Sequence, residues 1–318
     1  MSEPLSLLLS VVIFPSGLFV LALGLALKGV DRRVAARLQR RVGPPLLQPA
    51  IDLVKLAQKR TFVPDVACRP VFLAAPLVGV VAMLLAAALV PIPGVYEPDP
   101  VLGDLLVLFY LLAVPGVVLM IAGSASGSPF GAVGFSREMM LMLGYEIPIV
   151  LVIVAVALRT GQGQGAVITF SLGEIVQYQR THGAFLFDPI MWPTLLAFSA
   201  FLPANLGIIP FDMPEAETEV LEGPLLEYSG PTLGLFRMMS AVRTVVVLAL
   251  GICLFFPNAP AGIAGLAVWA VKLLVLATAG VTVLRVSVGR KRIDRAFIYF
   301  FRWPLAFAVV GLATVVIV

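Results

Sequence analysis

Eight apolar runs, near residues 5–27, 71–95, 105–123, 139–158, 190–209, 238–256, 261–284 and 297–318, fix the solvent in which this chain folds. Each is close to the roughly 20 residues of helix that cross the hydrocarbon core of a bilayer. In that solvent every backbone N–H and C=O must find a partner, and a helix provides one within its own segment. The pattern predicts an all-α, polytopic membrane protein of about eight transmembrane helices, with residues 1–318 forming one membrane domain. Composition agrees: 60% of the residues are hydrophobic and 13% charged, whereas a soluble domain carries about 25% charged residues. No basic residue precedes the first run, Leu5 to Leu27, which predicts a retained helix rather than a cleaved signal peptide.

Basic residues orient the spans. The connections near 28–70, 124–138, 211–237 and 285–296 hold most of the Lys and Arg, and the opposite connections hold only Arg159 and Arg180. The positive-inside rule makes the first set cytoplasmic and places both termini on the outer side of a cell inner or plasma membrane.

The stretch from Phe211 to Gly230, FDMPEAETEVLEGPLLEYSG, falls in the third cytoplasmic connection, 211–237. It carries Asp212, Glu215, Glu217, Glu219, Glu222 and Glu227 without one Lys or Arg. Six carboxylates between two apolar runs either meet water and partner surfaces, as a solvated loop that docks a basic partner, or share protons as a coupled set with raised pKa values. Gly223-Pro224 and Ser229-Gly230-Pro231 are candidate hinges for that loop.

The first connection, 28–70, is basic and amphipathic. Arg33, Arg37, Arg40 and Arg41 recur at near-helical spacing, Gly43-Pro44-Pro45 stops that helix, and IDLVKLAQKR (51–60) starts another. Asp52, Lys55 and Lys59 share one face of the second piece, which predicts a short interfacial helix. A basic loop held by anionic head groups is the alternative.

Within the spans, Glu138 and Glu146 bracket the start of the fourth run, SREMMLMLGYEIPIVLVI. Eight helical residues set them about 12 Å apart along the axis, able to face one cavity. Glu138 is either an interfacial carboxylate paired with Arg137 or part of a proton path. Lys272 lies deep in the seventh run and needs a carboxylate or a hydrated pocket; it and Glu146 are candidates for a charge path. Arg243 and Arg302 sit near run ends, where snorkelling reaches water. GQGQG at 161–165 reads as a flexible turn, and His182 as a loop residue. Two distant cysteines, Cys68 and Cys253, and a single histidine give no metal-ligand spacing, so no metal or cofactor is expected in this chain.

Three segments in order, RRVAARLQRRVGPPLLQPAIDLVKLAQKR (32–60), REMMLMLGYEIP (137–148) and FDMPEAETEVLEGPLLEYSGP (211–231), resemble the membrane subunit that joins the two arms of respiratory complex I and borders its quinone pocket. Arg41-Val42-Gly43-Pro44-Pro45 runs directly into Leu46-Leu47-Gln48-Pro49, and Glu227-Tyr228 is followed by Ser229-Gly230-Pro231. These departures look more like the counterpart subunit of energy-converting [NiFe] hydrogenases and formate hydrogenlyase. That resemblance implies a non-catalytic subunit that anchors soluble hydrogenase large and small subunits, holding Fe–S clusters and a Ni–Fe centre, beside antiporter-like membrane subunits. It implies proton or sodium coupling through Glu138, Glu146, the six acids of 211–230 and Lys272, with Arg37, Arg41, Asp52, Lys55 and Arg237 at the partner interface. The alternatives are a quinone-site subunit of a complex I-type enzyme, a related sulfur-compound reductase, and a stand-alone transporter, which would show inverted repeats. Lipid is the other expected partner, and nucleic acid is not.

Overall fold

The computed structural model describes residues 13–98, 104–165 and 168–317, apart from the side chains of residues 163, 164, 217 and 218. The helices, in chain order, are α1 (Gly17–Leu38), α2 (Gln48–Ala57), α3 (Arg69–Leu89), α4 (Leu105–Ala125), α5 (Pro129–Gln164), α6 (Leu172–His182), α7 (Trp192–Asn205), α8 (Glu217–Val220), α9 (Gly230–Phe255), α10 (Ile263–Ser287), α11 (Ile293–Arg302) and α12 (Pro304–Ile317). Among the described residues there are no strands, only isolated bridges such as Asp104 to Ser171.

Each apolar run corresponds to a helix, and six helical segments are long and apolar enough to cross a membrane: α3, α4, α5, α9, α10 and the α11–α12 pair. Of the other two runs, the first begins in residues outside the described part and continues into α1. The fifth forms α7, whose 14 residues reach only about 21 Å.

Burial explains the arrangement. Every residue of α9 from Ala241 to Phe255 is buried, which puts a helix that is apolar all round at the centre of the bundle. It packs on α1, α2 and α3, and also touches α6, α7 and α10. Leu25, Leu53 and Leu56 face a space beside it, described below.

Three boundaries differ from the sequence reading. α1 runs on to Leu38, taking in Lys28, Arg32, Arg33 and Arg37, because no breaker occurs before Gly43-Pro44. α5 starts at Pro129, which fills a first-turn position whose N–H needs no partner, so Glu138 lies well inside the helix rather than at its start. At its other end α5 continues through Gln164 and stops at Gly165, in the left-handed conformation with φ 75°. GQGQG is therefore a helix end with its C-terminal glycine, not a free turn.

α2 matches the expected amphipathic helix, three residues earlier than its predicted start. α10 contains a π-helical segment, Leu276–Val283, that the sequence did not suggest. His182 is the last residue of α6 and stacks on Tyr178 at 4.3 Å.

Candidate functional site

The acidic stretch leaves α7 and returns into α9, and side chains from across the bundle strap it down. The ring of Phe211 packs against Phe300 at 4.9 Å and Tyr299 at 5.7 Å. Tyr228 stacks on Phe72 of α3 with ring centroids 3.9 Å apart, and burial raises the pKa of its phenol. The backbone N–H of Phe62 donates to Ser229 Oγ at 3.1 Å. Gly223 has φ 50°, and a Cβ there would meet the Pro214 carbonyl oxygen at 2.1 Å. Pro224 wedges against Gly134 of α5. The glycines read as hinges are thus tight packing points: they supply positive φ and close approach within a fixed loop.

Basic residues that are distant in sequence meet the acids of this loop. Arg290 grips Asp212, with Nε at 2.9 Å and Nη2 at 2.8 Å from one carboxylate oxygen. Arg137 pairs with Glu219 and not with its neighbour Glu138. Glu222 and Glu227 form no ion pair among the described residues. The Glu217 side chain lies outside the described part. The acids are therefore not one crowded set: Asp212 and Glu219 each have an arginine, and Glu215 turns inward.

Glu215, Asp212 and Glu138 line a cavity of about 270 Å³ beneath the loop, together with Lys28, Arg237, Arg243 and Arg285. Glu138 is 5% exposed and Arg243 6%. Arg243 does not snorkel: its Nε donates to Asn205 Oδ1 at 3.1 Å, deep in the bundle. A Cβ on Gly116 of α4 would lie 2.9 Å from Glu138 Oε1, so that glycine makes room for the carboxylate. Burial raises the pKa of Glu215, and the nearby positive charges of Arg237, Lys28 and Arg243 oppose that rise. The result is a space walled by carboxylates and cations, where a proton can reside on an acid at little electrostatic cost.

Glu146 does not join this space. It is half-buried on α5, beside the fully buried Tyr145, and Glu138, Arg243 and Glu146 all lie within electrostatic reach of the Tyr145 hydroxyl. Lys272 is elsewhere. Its ammonium donates to the carbonyl of Phe256 at 2.7 Å and to that of Asn258, just beyond the C-terminus of α9. The expected carboxylate is replaced by main-chain oxygens at the negative end of a helix. The residues proposed as partner contacts also separate. Arg37 and Arg41 are exposed, while Asp52, Lys55 and Arg237 line a second chamber between α1, α2 and α9.

Arg243, Asn205, Lys28, Arg285 and Arg290 were not singled out by sequence reasoning as site residues. The usable signal was Arg243 itself, an arginine several residues inside an apolar run. Among the described residues no group of His, Cys, Asp and Glu is arranged to hold a metal ion.

The family profile for NADH dehydrogenase matches residues 9–316. The chain belongs to this family of membrane subunits of complex I and hydrogenase type. It is 34% identical to formate hydrogenlyase subunit 4 of Escherichia coli (strain K12), covering 77% of this chain and 78% of that protein. It is 37% identical to a membrane-family counterpart from the NADH-quinone oxidoreductase of Rubrobacter xylanophilus, covering 74% of this chain and 71% of that one. The structure of a membrane-bound sulfane sulfur reductase, an archaeal respiratory membrane complex, contains a chain that superposes with a TM-score of 0.86 at 27% identity, covering 99% of this chain and 100% of that chain.

Proposed function

We propose that this chain is the membrane-anchoring and ion-coupling subunit of an energy-converting hydrogenase complex. In this reading a soluble module with Fe–S clusters and a Ni–Fe centre docks on the cytoplasmic side, against the basic surface that includes Arg37 and Arg41. Antiporter-like membrane subunits carry the ion, protons or sodium, across the membrane. The observation that carries the reading is the buried cavity beneath the acidic loop, where Glu138 and Glu215 face Arg243 and Arg237.

The coupling step follows from electrostatics. Carboxylates in one poorly hydrated space shift their proton occupancy when a nearby charge changes. The loop ties that space to the surface through Arg137–Glu219 and Arg290–Asp212. A redox-driven charge or position change in the docked module reaches Glu215 first, then Glu138, and Glu146 further along α5. The direct run of Arg41-Val42-Gly43-Pro44-Pro45 into Leu46-Leu47-Gln48-Pro49 favours the hydrogenase type over a quinone-reducing complex.

The test uses the assembled complex in sealed vesicles, with nickel content, hydrogen evolution and ion uptake measured together. Glu138→Gln and Glu215→Gln are expected to lower ion uptake per hydrogen formed severalfold while leaving assembly and nickel content unchanged. Wild-type coupling ratios in both variants refute the carboxylate path. A nickel-free complex that reduces quinone refutes the hydrogenase assignment.

A further inference from the structure

We propose that the chamber between α1, α2 and α9 binds an anionic amphiphile, the phosphate head of a membrane lipid held by basic side chains with its acyl chain against the leucines of the same space. The chamber has a volume of about 430 Å³, within the roughly 300–1,000 Å³ of small-molecule sites. It adjoins the acidic cavity, sharing Lys28, Ile208, Arg237, Ser240 and Arg285 with it.

Its charges do not balance. Lys28, Arg32, Lys55, Lys59, Arg237 and Arg285 line it, against only two acids, Asp31 and Asp52. Both acids are already engaged. Asp31 pairs with Arg285 at 3.0 Å and accepts from Thr282 at 2.7 Å. Asp52 pairs with Arg32 at 3.2 Å and accepts from Gln48 at 2.7 Å. Lys28, Lys55, Lys59 and Arg237 form no ion pair among the described residues, and Lys28 donates only to Ser240 Oγ at 3.2 Å. Glu215 in the neighbouring cavity lies within electrostatic reach of Lys28 and Arg237. That leaves Lys55 in α2 and Lys59 just beyond its end without a counter-charge among the described residues.

The remaining wall is apolar: Leu25 from α1, Leu53 and Leu56 from α2, and Leu233 and Ala241 from α9. A free anion would satisfy the cations and leave this wall wet, and a neutral apolar ligand would do the reverse. An anionic amphiphile covers both surfaces, through charge-assisted hydrogen bonds at one end and buried hydrocarbon at the other. The chamber lies beside α2, an amphipathic helix of the type that sits at a membrane surface, where such molecules are abundant.

The experiment titrates the delipidated, purified complex by native mass spectrometry with phosphatidylglycerol, phosphatidylcholine, inorganic phosphate and an uncharged short-tailed quinone in turn. Phosphatidylglycerol is expected to bind this chain saturably. The double variant Lys55→Gln/Lys59→Gln, and separately Arg237→Gln, should each weaken that binding by about tenfold or more, the scale of losing a charge-assisted contact. Arg33→Gln, one residue from Arg32 but outside the chamber lining, should leave it unchanged and controls for general surface charge. Equal binding of phosphatidylcholine, loss of binding in Arg33→Gln to the same degree, or full retention in the Lys and Arg variants overturns the proposal. So does saturable binding of inorganic phosphate alone that phosphatidylglycerol cannot displace, or a quinone that displaces phosphatidylglycerol.

Discussion

Replacing Gly134 by alanine tests whether the acidic loop is clamped onto α5 or only lies over it. An added Cβ would sit 2.5 Å from Pro224 Cδ, 2.9 Å from Cγ and 3.1 Å from the backbone N. Carbon atoms in contact settle near 3.5–4.0 Å, so the loop at 223–225 has to move by about 1 Å. Neither partner yields easily, since one is a helix backbone and the other a proline ring. Overpacking of this kind costs about 1–3 kcal/mol, and alanine returns roughly 0.5–1 kcal/mol over glycine in a helix interior. The net expectation is about 1–2 kcal/mol of destabilisation, a fall of a few degrees in apparent Tm by scanning fluorimetry of the detergent-solubilised complex. Gly173→Ala in α6 is the matched control: the nearest atom its Cβ would meet is 3.8 Å away, so its Tm should hold or rise. Pro224→Ala removes the Cγ and Cδ atoms of the clash, and a double-mutant cycle should recover about 1 kcal/mol of the loss. The clamp is refuted if Gly134→Ala behaves like Gly173→Ala, or if Pro224→Ala fails to rescue it.

Glu215 makes stability depend on pH. Its folded pKa is raised above the ordinary 4.5 by burial, so its contribution is fully present below pH 4.5 and lost as pH rises through the raised value. Glu215→Gln, neutral throughout, should therefore gain Tm relative to wild type as pH is increased, and a pH-independent difference would contradict this. Lys272→Met removes the donor to the carbonyls of Phe256 and Asn258. It is expected to cost about 1–3 kcal/mol while preserving the ion-to-hydrogen ratio in vesicles; a normal Tm with lost coupling would return Lys272 to the ion path.

The sequence alone settled the solvent and the elements. Runs of about twenty apolar residues leave a chain in lipid almost no alternative to helices, and each of the eight runs corresponds to one. The amphipathic α2 was legible because its charges share one helical face. Local chemistry also set the ends of α5, through Pro129 at its start and Gly165 at its stop, although polar residues near both ends hid them from a hydropathy window.

Which charges meet was decided by tertiary structure. Nothing in the order of residues pairs Arg290 with Asp212, Arg137 with Glu219, or Arg285 with Asp31, because each partner lies on a different element. The same holds for Lys272, whose depth in an apolar run signalled a need for compensation without saying that helix-end carbonyls supply it. Hydropathy measures the cost of burying a charge, and only packing decides what offsets that cost. An acidic segment that reads as one cluster becomes, in the folded protein, a strapped loop with Glu215 turned into the bundle beside Glu138 and Arg243.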